Sequence, residues 1–534
     1  IPTNVLTVTV QSVPTAGSIG SDQTICSGGN PDAFASTAAA SGDGSITYIW
    51  QSSTDNITYA TILSATSATY DPPSGLTTTT YYRRVATSTL NGNACAVNSS
   101  PVLVTVNPIP SVNTISNQAV CVDQQFSAIT FSGTVPSTVY NWTNNNTNTG
   151  LAASGTGNIA AFTATNLTNA AIVSTVVVTP IYTYNSVSCT GSTKSFTLTV
   201  NPKANIANKT ASTCSGTGFT VTPSNGGGDI VPSGTTYAWS ALPVVTGGLT
   251  GGATASLQSS INGTLTNPTN TAQTATYTVT PTSGSCTGPT FTVVATINPR
   301  PVVPNQTATI CSGTAFTTSP TNNAPTTIIP TGTTYTWTVA PNASVTGESN
   351  ETVGQSSISQ TLTNTTNAVQ TVVYTVTPTS GDAGNCVGTN FTVTVTVNPT
   401  PVIANKTSTI CSGAAFTITP SNAGGDIVPA STTYTWTVAP NADVTGESNQ
   451  AVGQSNISQT LTNTSNTVQT VVYTVTPRSG AAGNCVGSTF TVTVTLNPRP
   501  TIDAISNQAV CAGSTVSGVT ITGSVASTVY TWAN

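Results

Sequence analysis

Only 4% of the 534 residues are charged, net charge is −5, and histidine is absent. The nine Lys and Arg are scattered, which excludes nucleic-acid binding, because that requires clustered cations to displace counterions from phosphate. Without histidine the common general base and the Ser-His and Cys-His nucleophile pairs are gone, and Glu348, Glu351 and Glu447, the only glutamates, offer no convincing carboxylate pair for glycoside hydrolysis.

The chain opens with VLTVTV at Val5–Val10, which reads as the last strand of a preceding unit. Three features then recur in fixed order. Opening cysteines stand at Cys26, Cys121, Cys214, Cys311, Cys411 and Cys511, spaced by 93 to 100 residues. Each is followed by a Tyr-x-Trp, at Trp50, Trp142, Trp239, Trp337, Trp436 and Trp532. Closing cysteines follow at Cys95, Cys189, Cys286, Cys386 and Cys485. Asn-Pro joints at Asn107, Asn201, Asn298, Asn398 and Asn497 separate the units. A fixed internal period takes priority over local motifs. The reading is a strand of a preceding repeat at 1–11, an Ig-like repeat at 12–107, PKD-like repeats at 108–201, 202–298, 299–398 and 399–497, and the start of a sixth at 498–534. On this reading the chain is an internal piece of a much larger protein.

The fifth unit gives the clearest strand pattern. A short strand leads to Cys411; others are predicted over Phe416–Pro420, Thr433–Val438, Ile457–Asn463, Thr470–Pro477 and Phe490–Pro498, with edge strands poorly marked. Period-two alternation of β-branched and aromatic residues marks half-buried strands, and Asn-Pro ends them. About seven short strands in a unit of about 100 residues predict an all-β, linear array of Ig-like/PKD-like Greek-key β-sandwich domains. Tyr and Trp two apart share a face, so the six tryptophans are expected as core anchors rather than as exposed platforms for sugar stacking.

Eleven cysteines in so regular an order imply bridges and an oxidising compartment. Pairing within units gives Cys26–Cys95, Cys121–Cys189, Cys214–Cys286, Cys311–Cys386 and Cys411–Cys485, one per domain, with the partner of Cys511 outside the chain. The rival register joins each closing cysteine to the next opening one. Counting does not separate the two. The rival spans a strand, a joint and another strand, tens of ångströms when extended at ~3.3 Å per residue, whereas bridged Cα atoms lie within ~7 Å. That favours bridges within units, each closing about 70 residues and worth ~4 kcal/mol. One difficulty stands: in immunoglobulin topology the first and last hairpins sit at opposite poles.

No metal or cofactor is expected. There is no paired CxxC, and the aspartates, Asp382 among them, never form the alternating acidic loop of a calcium site. Asn-x-Ser/Thr triplets such as Asn208–Thr210 and Asn405–Thr407 occur by chance in so Asn- and Thr-rich a chain.

The joints, the TICSG opening at Thr409–Gly413, TYTW at Thr433–Trp436 and the GNCVG closure at Gly384–Gly388 resemble the tandem Ig-like and PKD-like repeats of giant Bacteroidota surface adhesins, including those of gliding flavobacteria. The resemblance implies type IX export, display on the outer membrane and a part in adhesion and gliding. The expected role is a non-catalytic stalk. The expected partners are the rest of the same polypeptide, surface glycans, or the gliding and secretion machinery, and no nucleic acid. Two alternatives are glycan- or partner-binding through loops such as Asn225–Thr236, and spacer repeats of a secreted polysaccharide-degrading enzyme. Near-identity of the fourth and fifth units weighs against distinct loop specificities.

Overall fold

A computed structural model describes residues 5–381, 384–480 and 483–533; Asp382 lies outside them. Among the described residues the fold is all-β apart from one short 3-10 turn at Thr147–Thr149. Each of the five full units builds its own main sheet, and the fourth serves as the example. Its opening strand Gln306–Cys311 pairs in parallel with the closing strand Phe391–Asn398; next come the long strand Gln370–Thr379, the Trp strand Thr334–Val339 and the edge strand Glu351–Gln355. A second sheet of Thr314–Thr318, Ile358–Asn364 and Val345–Thr346 covers it.

Alternation explains the layering. On the closing strand Phe391, Val393, Val395 and Val397 are buried while Thr392, Thr394 and Thr396 face outward. Side chains of a strand alternate between faces, so one apolar row is enough to pin its register against the second sheet. Tyr335, Trp337, Phe316, Tyr374 and Leu362 complete the core. Each of the five buried indoles still finds an acceptor, as Trp337 Nε1 does in donating to Ser349 O at 3.1 Å, and thus avoids the cost of an unpaired buried donor.

In the fifth unit the predicted strands are observed at Ala415–Ile418, Thr433–Val438, Gln469–Arg478 and Phe490–Asn497. The stretch over Ile457–Asn463 is split at Leu461, and the edge strand Gln450–Gln454 was not legible. Trp50, Trp142, Trp239, Trp337 and Trp436 are buried. Two expectations are corrected. Val5–Val10 forms no strand and is exposed, because its alternation has no sheet edge to pair with among the described residues. Trp532 is 80% exposed and is no core anchor here: the stretch after Arg499 forms only an isolated bridge, Ile502 with Gly523, so nothing covers it.

Candidate functional site: the joints between units

The cysteines lie at the joints. Parallel pairing sets Cys311 opposite Asn398, the last residue of the closing strand. The turn that follows is held by Ser312 N donating to Asn398 O at 2.8 Å, with Gly313 in the left-handed region at φ 83° that glycine tolerates best. The closing cysteine Cys386 sits at the other pole, before the same strand begins. It is buried, and its N–H donates to Ser380 Oγ at 2.9 Å. The two cysteines of one unit thus flank an eight-residue strand, about 25 Å long at ~3.3 Å per residue. A bridge between them is geometrically excluded.

Pairing within units is therefore corrected: each opening cysteine bonds the closing cysteine of the next unit. The observed bridges are Cys26–Cys189, Cys121–Cys286, Cys214–Cys386 and Cys311–Cys485, with Cα atoms 5.5–5.6 Å apart. Cys95, Cys411 and Cys511 are free thiols. The same rule gives those three no partner within residues 1–534. The rival register is absent too, since the closing cysteine of one unit and the opening cysteine of the next lie at the far ends of the two strands that flank the joint, as Cys386 before Phe391–Asn398 and Cys411 at the end of Lys406–Cys411 do. Opposite poles were the sequence's clue to this third register: the C-terminal pole of one unit is also the neighbour of the N-terminal pole of the next.

Other contacts cross the same joints. The Asn107 amide donates to Tyr184 O at 3.0 Å and Val187 O at 3.1 Å in the hairpin of the following unit. Lys203 Nζ lies 2.6 Å from Asp123 Oδ2. The glycine two residues after the closing cysteine of the second to fifth units has no room for a side chain: a Cβ on Gly388 would lie 2.3 Å from Pro301 O, and one on Gly288 2.0 Å from Ala204 O. The Cys-x-Gly step thus lets the Pro-rich lead-in of a unit press against the hairpin that carries the bridge.

Sequence reading missed a buried asparagine at or shortly after the end of the strand that precedes the long strand in the second to fifth units. Asn364 Nδ2 donates to Ala368 O at 2.7 Å and Val397 O at 3.0 Å, and its Oδ1 accepts from Thr366 N at 2.9 Å and Thr366 Oγ1 at 2.8 Å. Asn166, Asn267 and Asn463 repeat the pattern. The triplets at Asn208 and Asn405 are also structural: their Oδ1 atoms accept the N–H of Thr292 and Thr491 at 2.8 Å. In the third and fifth units a buried aspartate meets a lysine, Asp229 with Lys209 and Asp426 with Lys406, each at 2.5 Å. The Lys209 ammonium and then the Ala207 N–H lower the Asp229 pKa. At Asp426 burial opposes the shift, but the Ala404 N–H and the Lys406 ammonium outweigh it, and the pKa is again lowered. The fourth unit has Gln306 and Thr327 at these places. Among the described residues no group of three or more Cys, Asp or Glu is placed to hold a metal ion, and no helix is long and apolar enough to cross a membrane.

Two-sheet units in series, with bridges at their joints, define a tandem array of Ig-like β-sandwich domains. Residues 211–301, 308–401 and 408–500, together just over half of the chain, match the family described as PKD-like domain. The chain belongs to that family. Residues 15–108 match a domain of unknown function, DUF8696, and no curated protein matches. Among solved structures the chain is similar to the human desmocollin-1 ectodomain, at 12% identity over 92% of this chain and 99% of that one, TM-score 0.22. It is similar also to the titin I-band fragment I67–I69, at 11% identity over 55% and 99%, TM-score 0.30. A third is the N-terminal eight Ig domains of DSCAM, at 11% identity over 92% and 63%, TM-score 0.24. Scores this low carry no argument about this chain. Tandem Ig/PKD-like repeats are typical of extracellular adhesion or spacer modules and are typically non-catalytic.

Proposed function

We propose that these residues form a non-catalytic stalk segment of a large secreted cell-surface adhesin, holding an adhesive region away from the cell for attachment and gliding. The observation that carries this reading is the cross-joint bridge, repeated four times. A bridge of this kind restricts bending where a string of domains is otherwise loosest, and it requires an oxidising compartment. Export by the type IX route and attachment to the outer membrane rest on the resemblance of the TICSG, TYTW and GNCVG motifs to Bacteroidota repeats.

Shape tests the proposal. At ~40 Å per unit, from strand length plus turns, five units reach on the order of 200 Å. Electron microscopy of the oxidised fragment should show a rod of that length, and antibodies against it should label intact cells and block attachment. A compact particle, or label confined to the cell interior, refutes the stalk. Binding of the isolated fragment to a glycan array would instead favour the binding-module reading.

A further inference from the structure

We infer that the four bridges turn this single chain into two interleaved covalent paths, so that every joint from the first unit to the fifth is spanned by a disulfide and the unit interiors are bypassed by tension. One path runs across Cys26–Cys189, along the 26 residues from Cys189 to Cys214, and across Cys214–Cys386. The other runs across Cys121–Cys286, along the 26 residues from Cys286 to Cys311, and across Cys311–Cys485. The two paths share no residue. Each backbone stretch they use is a closing strand, a joint and an opening strand. The Trp strands and long strands of the second, third and fourth units lie on neither.

Two consequences follow from this connectivity. The first concerns length. Between Cys26 and Cys386 the bridged path holds 25 residue-to-residue steps of backbone, Cys189 to Cys214, about 85 Å when extended at ~3.4 Å per residue, against a folded span of about 80 Å for two units at ~40 Å each. Unfolding a unit interior therefore adds almost no length between these points. Bridges within units would leave the three joints in series, about 75 residues or ~250 Å. The second concerns severance. A backbone cut at any of the four joints between Cys95 and Cys411 leaves the two sides bonded, because Cys26–Cys189, Cys121–Cys286, Cys214–Cys386 and Cys311–Cys485 each span one of them. A cut between the two cysteines of the second, third or fourth unit is spanned twice. This is a property of the covalent topology and holds whether or not the array serves an adhesin.

The test inserts a site-specific protease sequence between Pro202 and Lys203, in the joint flanked by Cys189 and Cys214, in residues 1–534 oxidised during folding. After cleavage the protein should run at full length on a denaturing gel without reductant and split into two fragments when reductant is added. In the same protein carrying Cys286→Ser the cut should separate the halves without reductant. Separation of the parent without reductant overturns the inference. Because the insertion itself can disturb the joint, disulfide mapping of the unmodified chain by mass spectrometry is the second measurement. A peptide pair joining Cys121 to Cys286 supports the two paths, and one joining Cys121 to Cys189 refutes them.

Discussion

Replacing Asn364 by alanine isolates the contribution of the buried amide. The side chain is 3% exposed, and all four of its hydrogen-bonding positions are used: two donations to Ala368 O and Val397 O, two acceptances from Thr366. Each such bond is worth ~1 kcal/mol net, and a buried carbonyl left without a donor costs ~1–3 kcal/mol. The carbonyl of Val397 is enclosed beneath the joint, so the substitution should cost the fourth unit about 3–4 kcal/mol. For a domain of about 100 residues, 1 kcal/mol shifts Tm by roughly 4–8 °C, so that unit should melt some 12–30 °C lower. Scanning calorimetry of the oxidised full chain should show one transition displaced. Hydrogen exchange should accelerate in Phe391–Asn398 and not in the corresponding strand Phe490–Asn497. Asn364→Asp, nearly isosteric, removes the donor pair and sets a carboxylate against two carbonyl oxygens; at neutral pH it should cost at least as much. A loss below about 0.5 kcal/mol for both variants would refute the assignment of the amide as the tie between the turn and the closing strand.

Pulling on the oxidised fragment by handles just outside Cys26 and Cys386 should give less than about 20 Å of extension before rupture, at ~3.4 Å per residue of bridged path; long unfolding steps without reductant would contradict the bridge pattern. Acidification should weaken the third and fifth units selectively. Their Asp229 and Asp426 have lowered pKa values in the folded state, so their stabilisation is full above the unfolded carboxylate value near 3.9 and is lost as pH falls through the folded value. Urea titrations at pH 3 and pH 6 should show those units losing more than the fourth, and equal losses would remove the ion pairs from the account. Gly388→Ala should destabilise the fourth unit by about 1–3 kcal/mol through overpacking against Pro301 O, checked by the midpoint of its transition; Gly424→Ala, in a turn with nothing within 4 Å of the added carbon, meets no such clash, and its strain at φ 62° should cost less than the Gly388 change.

Much of this architecture was readable because a β-sandwich writes itself into sequence as alternation. Phe391, Val393, Val395 and Val397 gave a strand, a face and a register at once, and the Tyr-x-Trp pairs gave the core. The bridges were harder for a specific reason. Distance along the chain says nothing about which pole of a unit a residue occupies, and the decisive fact, the parallel pairing of Cys311 with Asn398, is a long-range contact that leaves no periodic trace. The asparagines hid differently: Asn166, Asn364 and Asn463 each begin an Asn-x-Ser/Thr triplet, a surface signature, yet all three are buried. Arg84 is a third case. Its fully buried guanidinium donates to the carbonyl oxygens of Ala16 and Ala68 and to Ser36 Oγ and packs over the Tyr48 ring, while in sequence it is one of nine scattered cations.

The bridge register also sets an order of events on the growing chain. Partners are 163 to 174 residues apart, so an opening thiol emerges, its own unit closes around it, and it must wait unoxidised until the next unit has formed its last hairpin. Maturation then proceeds like a zip fastener, in which each tooth locks only when its successor has arrived in shape, and a misfolded unit leaves a reactive sulfur on display at the end of the one before it.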